Sequence, residues 1–187
     1  IWREVQLLSK EKPVIVSMGA LAASGGYYIS CGANKIFAEP TTLTGRIGIF
    51  GMIPDATELL TDKLGLSFDV VKTNAHSDFG AMGRPLNESE CRLMQAYINQ
   101  GYELFTGRVA QGRNISQDSV KAVAEGRVWT GEQAMKIGLV DKLGNLNDAI
   151  AAAAKAAKIE KYSVGRYPEP APWFASLLQE KKADYMD

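Results

Sequence analysis

The alternation of apolar and polar positions divides this chain into short strands and longer helices. Trp2, Val5, Leu7 and Leu8 mark an approximate helical stripe, which the charged run SKEK and Pro13 bring to an end. PVIVSMG then reads as a buried parallel strand, because β-branched residues follow one another without a polar face. KIFAEP and GRIGIFG predict two more short strands. DATELLTDKLG predicts a helix with Asp55 as N-cap and Gly65 just past its end. LSFDVVKT reads as a further strand, and NAHSDFGAMGRP as a polar loop.

Asn87 and Glu90 have the spacing of a capping box, followed by a long helix through Met94, Tyr97, Ile98, Tyr102, Phe105 and Val109. SQDSVKAVAEG predicts a short capped helix. RVWTGEQAMKIG predicts a strand and then a helix starting near Thr130, and LVDKLG a last short strand and turn. NLNDAIAAAAKAAK is helical by propensity alone. Strands alternating with helices imply an α/β fold with a mainly parallel β-sheet and flanking helices. From Lys161 the chain changes to YPEPAPW and then EKKADYMD, so residues 1–160 are expected to form the domain and residues 161–187 a carboxy-terminal arm, packed on the surface or reaching a subunit or membrane.

Composition narrows the function classes. With 187 residues, 46% of them hydrophobic, one sizeable core is expected. The 21 Lys and Arg balance the 21 Asp and Glu, so no basic field favours nucleic acid. No apolar run approaches the roughly 18 residues of a membrane span, so any membrane anchor is expected outside this chain. The chain opens inside a helix without an initiator Met, and a fragment of a longer protein is the expectation. Cys31 and Cys91 are isolated and suggest no metal site; buried free thiols are the expectation, with pairing in an oxidising compartment the alternative. His76 is the single histidine, which excludes a site with several histidine ligands. No cofactor is expected.

The chemistry concentrates at LAASGGYYIS, residues 21–30. Nucleophilic serine catalysis needs an exposed hydroxyl, a base, and N–H groups aimed at an oxyanion. A serine between a strand and a helix meets two of these needs, since the first N–H groups of a helix lack internal partners. In SMGALAASGGYYIS, Ser24 occupies that position and Gly25 can approach a substrate carbonyl without side-chain interference. Ser24 is equally suited to capping the following helix. Local sequence leaves both readings open.

The stretch KPVIVSMGALAASGGYYISCGANKIFAEPTTLTGRIGIFG, together with VWTGEQAMKIGLVDKLG, resembles the signal peptide peptidase (protease IV) family of Ser-Lys proteases. The likeness covers roughly residues 10–157. It implies a Clp-protease/crotonase-like fold, Ser24 as nucleophile and the Gly25 N–H as one oxyanion donor. A second donor in such proteins comes from a glycine-rich turn ahead of the helix with which this chain begins. Such proteases use a lysine made basic by burial. In short family members it lies after the strand that here is FDVVKT, where Ser77 stands just before Asp78. In long, two-repeat members the carboxy-terminal repeat carries the serine and the amino-terminal repeat the lysine. This chain resembles that carboxy-terminal half, and on its own is expected to be catalytically incomplete.

Lys72 is the nearest alternative base, though an edge-strand lysine facing solvent is the simpler expectation, and His76 is expected in solvent as well. Arg46 stands where the family usually has a serine thought to hydrogen-bond the lysine. Its cation would lower the pKa of a neighbouring lysine, clash with it, or point to solvent. Met18, Leu21 and Phe50 either line a groove for an extended apolar peptide or belong to the core. The resemblance further implies hydrophobic signal-peptide remnants as substrates, a ring-like, tetramer-like homo-oligomer, and the periplasmic face of a bacterial inner membrane. A crotonase-like acyl-CoA enzyme and a non-catalytic assembly domain are the competing readings.

Overall fold

Pro13 cannot donate into a continuing helix, and α1 (Trp2–Glu11) stops short of it. The computed structural model describes residues 1–168. β1 (Ile15–Met18) follows and pairs in parallel with β3 (Lys35–Ala38), Ile15 opposite Lys35. β3 in turn pairs in parallel with β6 (Lys142–Leu143). A second sheet joins β2 (Leu21–Ala23) in parallel to β4 (Leu43–Gly45), and β4 antiparallel to β5 (Val128–Thr130). The strands are therefore mainly parallel, as expected, but divided between two three-stranded sheets. The chain steps directly from the first sheet to the second at residues 19–20 and again at 39–42, and returns through residues 24–34 and 131–141. The two direct steps meet at Thr42, whose buried hydroxyl donates to the Gly19 carbonyl at 2.8 Å and accepts from the Glu39 N–H at 3.0 Å.

The helices cover these sheets. α2 (Gly25–Ser30) is anchored by Tyr27, fully buried, whose hydroxyl donates to the Leu139 carbonyl at 2.9 Å. α3 (Glu88–Arg113) begins with the expected Asn87–Glu90 capping box. It crosses the end of α2 at Gly112, where a Cβ would collide with the Cys31 carbonyl. α4 (Gln117–Val123) is capped by Ser116, α5 (Gly131–Lys136) by a Thr130–Gln133 box and α6 (Leu146–Ala156) by an Asn145–Asp148 box. The core packs Met18, Tyr27, Ile36, Ile47, Phe105 and Leu139 between these layers. Arg108 of α3 ties α1 to α2, its guanidinium 4.0 Å from the Trp2 ring centroid and 5.4 Å from that of Tyr28.

Three expected elements change. The strand read in GRIGIFG lies earlier, in β4, because Gly45 (φ 76°) and Arg46 (φ 49°) both turn left-handed and end the ladder. LSFDVVKT forms no strand: among the described residues no neighbouring strand pairs with it, and Val71 is 95% exposed. The DATELLTDKLG helix shrinks to a turn that widens into a π-helix over Leu59–Lys63. The Asp55 carboxylate still accepts from the Thr57 N–H at 2.9 Å, and Gly65 takes its left-handed place after the turn. Of the thiols, Cys31 is buried as expected but Cys91 is exposed, since α3 turns it outward. Residues 161–167 of the expected arm are exposed, and the rest of it, from residue 169, lies outside the described residues. No helix among the described residues is long and apolar enough to cross a membrane.

Candidate active site

Ser24 stands at the join between β2 and α2 with φ 52° and ψ −115°. An ordinary N-cap residue is extended, so that its side chain folds back onto the helix N–H groups. Ser24 departs from that geometry, and its hydroxyl makes no capping hydrogen bond. The capping role open to it in the sequence is thus not the one it takes. A non-glycine residue held in such a sparsely populated conformation costs about 1–3 kcal/mol, sustained by the surrounding structure. Here the support comes from the Ser24 N–H, which donates to the Gly45 carbonyl at 2.9 Å, and from the Ser24 carbonyl, which accepts from the Tyr28 N–H at 2.8 Å.

Turning the serine this way leaves the start of α2 uncovered. Gly25 is exposed, and a Cβ placed on it would meet nothing within 4 Å. As the first residue of the helix, it has an N–H without an intrahelical acceptor, and the expected oxyanion donor is geometrically available. Two clefts meet at Ser24. One, of about 540 Å³, is lined by Arg46, Gly48, Ile49, Phe50, Tyr102, Glu125 and Gly126. The other, of about 310 Å³, runs along Gly25, Tyr28, Ile49, Tyr97, Leu104 and Phe105. Its wall is fixed by the edge-to-face stacking of Tyr28 on Phe105, with centroids 4.9 Å apart.

The remaining sequence candidates divide. Arg46 reaches the cleft: it is exposed, its N–H donates to the Arg127 carbonyl at 2.8 Å, and its guanidinium lies 5.5 Å from the Phe50 ring centroid. Phe50 lines the same cleft at 74% exposure, whereas Met18 is core and Leu21 is exposed on β2 outside the cleft lining. Lys72, Ser77 and His76 line neither cleft. Ser77 is spent in a local turn, its hydroxyl donating to the Asn74 carbonyl. Lys72 is not on a strand and bridges Asp78 at 2.9 Å. His76 is half-buried rather than solvated, with Nδ1 3.8 Å from a Glu90 oxygen, because the polar loop folds back on α3.

That loop is held by charge. Arg84 donates two hydrogen bonds to Glu90, at 2.7 and 2.6 Å, and one to Asp78 at 2.8 Å. The Arg84 fork, and then the Asn87 N–H, bring the Glu90 carboxyl down to about 2. Asp78 is likewise held well below the usual carboxylate range by Arg84 and Lys72. Lys72 is thereby committed to an ion pair away from Ser24. Among the described residues neither cleft is lined by a lysine or histidine.

Sequence reasoning missed Tyr102, Glu125 and Gly126. Only the turn residues of AEGRVW hinted at the last two, which are left-handed at φ 58° and 75°. Gly126 lies so close to Gly48 that a Cβ there would come within 2.8 Å of its nitrogen, which brings this distant turn to the cleft floor.

Comparison with known proteins bears on this arrangement. The chain is 44% identical over 158 residues to Protease 4 of Salmonella typhi, covering 84% of this chain and 25% of that protein. It is 41% identical over 160 residues to the chloroplastic serine protease SPPA of Arabidopsis thaliana, covering 85% and 24%. The chain thus spans about a quarter of the length of these relatives. Among solved structures, a membrane-bound stomatin-specific protease matches 91% of this chain and 73% of its own at 17% identity and a TM-score of 0.45. A probable enoyl-CoA hydratase/isomerase from Mycobacterium abscessus matches 98% and 57% at 16% identity and a TM-score of 0.38. Both structural likenesses are too loose to bear on mechanism. The profile described as Peptidase family S49 matches residues 6–160, and the chain belongs to that family.

Proposed function

We propose that Ser24 is the nucleophile of a serine endopeptidase of the Ser-Lys type, whose lysine comes from another segment of the whole protein or from a neighbouring subunit. The observation that carries this reading is the strained strand–helix turn at Ser24, which withholds the hydroxyl from capping and opens it to two clefts. In this mechanism a neutral lysine amine takes the Ser24 proton as Oγ attacks the scissile carbonyl. The Gly25 N–H stabilises the oxyanion, the departing amine takes the proton, and water then hydrolyses the acyl-enzyme. Arg46 already lines the Ser24 cleft that the lysine would enter, whereas Ser77 would join it only if the completed assembly brings it there.

Apolar peptides suit the clefts, whose walls include Ile49, Phe50, Tyr97 and Leu104. β2, which leads directly into Ser24, is an edge strand of its sheet, and its free edge supports binding of an extended peptide by strand addition. Cleaved signal-peptide remnants, a homo-oligomer and the periplasmic face of a bacterial inner membrane complete the reading, with residues 161–187 as an arm. Membership of a peptidase family weighs against the acyl-CoA alternative.

A serine-reactive fluorophosphonate should label Ser24 in the full-length protein and leave Ser24→Ala unlabelled. Absence of labelling in the intact protein would remove the proposal. Peptide turnover by residues 1–187 alone would show that the base lies within this chain.

A further inference from the structure

The geometry points to a carboxylate on the bound peptide as a determinant of what enters the larger cleft, with Arg46 as its receptor. This inference rests on the peptidase reading of Ser24 and names a feature of its substrate. The larger cleft contains two charged side chains, Arg46 and Glu125. Glu125 is already compensated, since Arg127 reaches its carboxylate at 3.1 Å. Arg46 forms no ion pair among the described residues, and every other residue lining the cleft is neutral. The cleft therefore offers a peptide one uncompensated positive charge.

Arg46 is also held for the purpose. Its left-handed backbone follows the left-handed Gly45, and its N–H is fixed to the Arg127 carbonyl, so the side chain leaves the end of β4 in a defined direction. The Phe50 ring centroid lies 5.5 Å from the guanidinium, a cation–π contact that uses none of its donors. A guanidinium presents its N–H groups in a geometry that matches both oxygens of a carboxylate. A cleft of about 540 Å³ shared with Ser24 accommodates only a few residues, so the carboxylate belongs close to the scissile bond. It can be the terminal carboxylate of a peptide or the side chain of Asp or Glu.

The test uses full-length protein carrying Ser24→Ala, so that binding is read without turnover. One fluorescent apolar peptide is compared in three forms: free acid at its C-terminus, C-terminal amide, and amide with a single Glu moved along the sequence. At least one charged form should bind about tenfold more tightly than the neutral amide, the gain typical of one charge-assisted pair. Whichever form gains identifies the source of the carboxylate. Adding Arg46→Met should reduce the charged forms to the affinity of the amide, and Arg46→Lys should restore part of the difference. The preference should also shrink in high salt. Equal binding of all three forms, or a preference that survives Arg46→Met, would overturn the inference while leaving the peptidase reading intact. Failure of every form to bind would overturn both.

Discussion

Replacing Ser24 by glycine and by alanine separates what the residue does for stability from what it does for chemistry. If Ser24 were an ordinary N-cap, Ser24→Ala would cost about 1 kcal/mol. Its hydroxyl makes no capping bond, so the alanine variant should match the parent within about 0.5 kcal/mol. Glycine adopts φ 52°, ψ −115° without steric penalty, which releases about 1–3 kcal/mol of strain. The greater freedom of glycine in the unfolded chain returns about 0.5–1 kcal/mol of this. Ser24→Gly should thus be more stable than Ser24→Ala by up to about 2.5 kcal/mol, at about 2–4 °C of melting temperature per kcal/mol for a domain of this size. Urea unfolding followed by tryptophan fluorescence, with the slopes compared as well as the midpoints, measures the difference. A glycine variant less stable than the alanine variant by about 0.5–1 kcal/mol would show that the turn is unstrained. A loss of about 1 kcal/mol in Ser24→Ala would restore the capping role.

Gly112→Ala should cost about 1–3 kcal/mol by forcing α3 away from the Cys31 carbonyl, measured by the same unfolding curves. Glu90 has a folded-state pKa of about 2, below its ordinary value of 4.5, so the stability it contributes is present above pH 4.5 and lost as pH falls towards 2. Unfolding curves between pH 6 and 2 should show this loss, and Glu90→Gln should flatten it while lowering stability at neutral pH. Native protein treated with iodoacetamide should be alkylated at Cys91, which is exposed, well before Cys31. Burial pushes the Cys31 thiol up to about 11, and mass mapping of the modified peptides distinguishes the two.

The parts of this fold legible in the sequence are those with local causes. Asn87 and Glu90 satisfy each other's N–H groups within one turn, and their helix appears where the spacing puts it. Ile15 to Met18 make a strand because a mostly apolar, β-branched run can be buried on both faces. LSFDVVKT has equal strand propensity, yet a strand exists only with a partner to receive its N–H and C=O groups, and sequence contains no information about whether one is adjacent. The same limit applied to the site. Ser24 and Gly25 could be found from strand, small residues and helix in succession, whereas Glu125 and Gly126 reach the cleft through long-range pairing, the Gly126 N–H donating to the Ile47 carbonyl and the Arg46 N–H to that of Arg127. His76 looked solvated for a related reason, since its loop is folded inward by Arg84, whose partners Asp78 and Glu90 lie six residues to either side.

Thr42 fastens the two places where the chain steps directly from the first sheet to the second, with one hydroxyl donating to Gly19 and accepting from Glu39. The strand that delivers Ser24 and the neighbouring strand that accepts its N–H therefore belong to a plate joined to the core plate by two short straps riveted together at Thr42, besides the longer returns through α2 and α5. Wear at that rivet, as in Thr42→Val, would let the two plates slide against each other with each still intact. Such a protein would keep its helices and its melting cooperativity while its serine drifted out of alignment with any base presented from outside the chain.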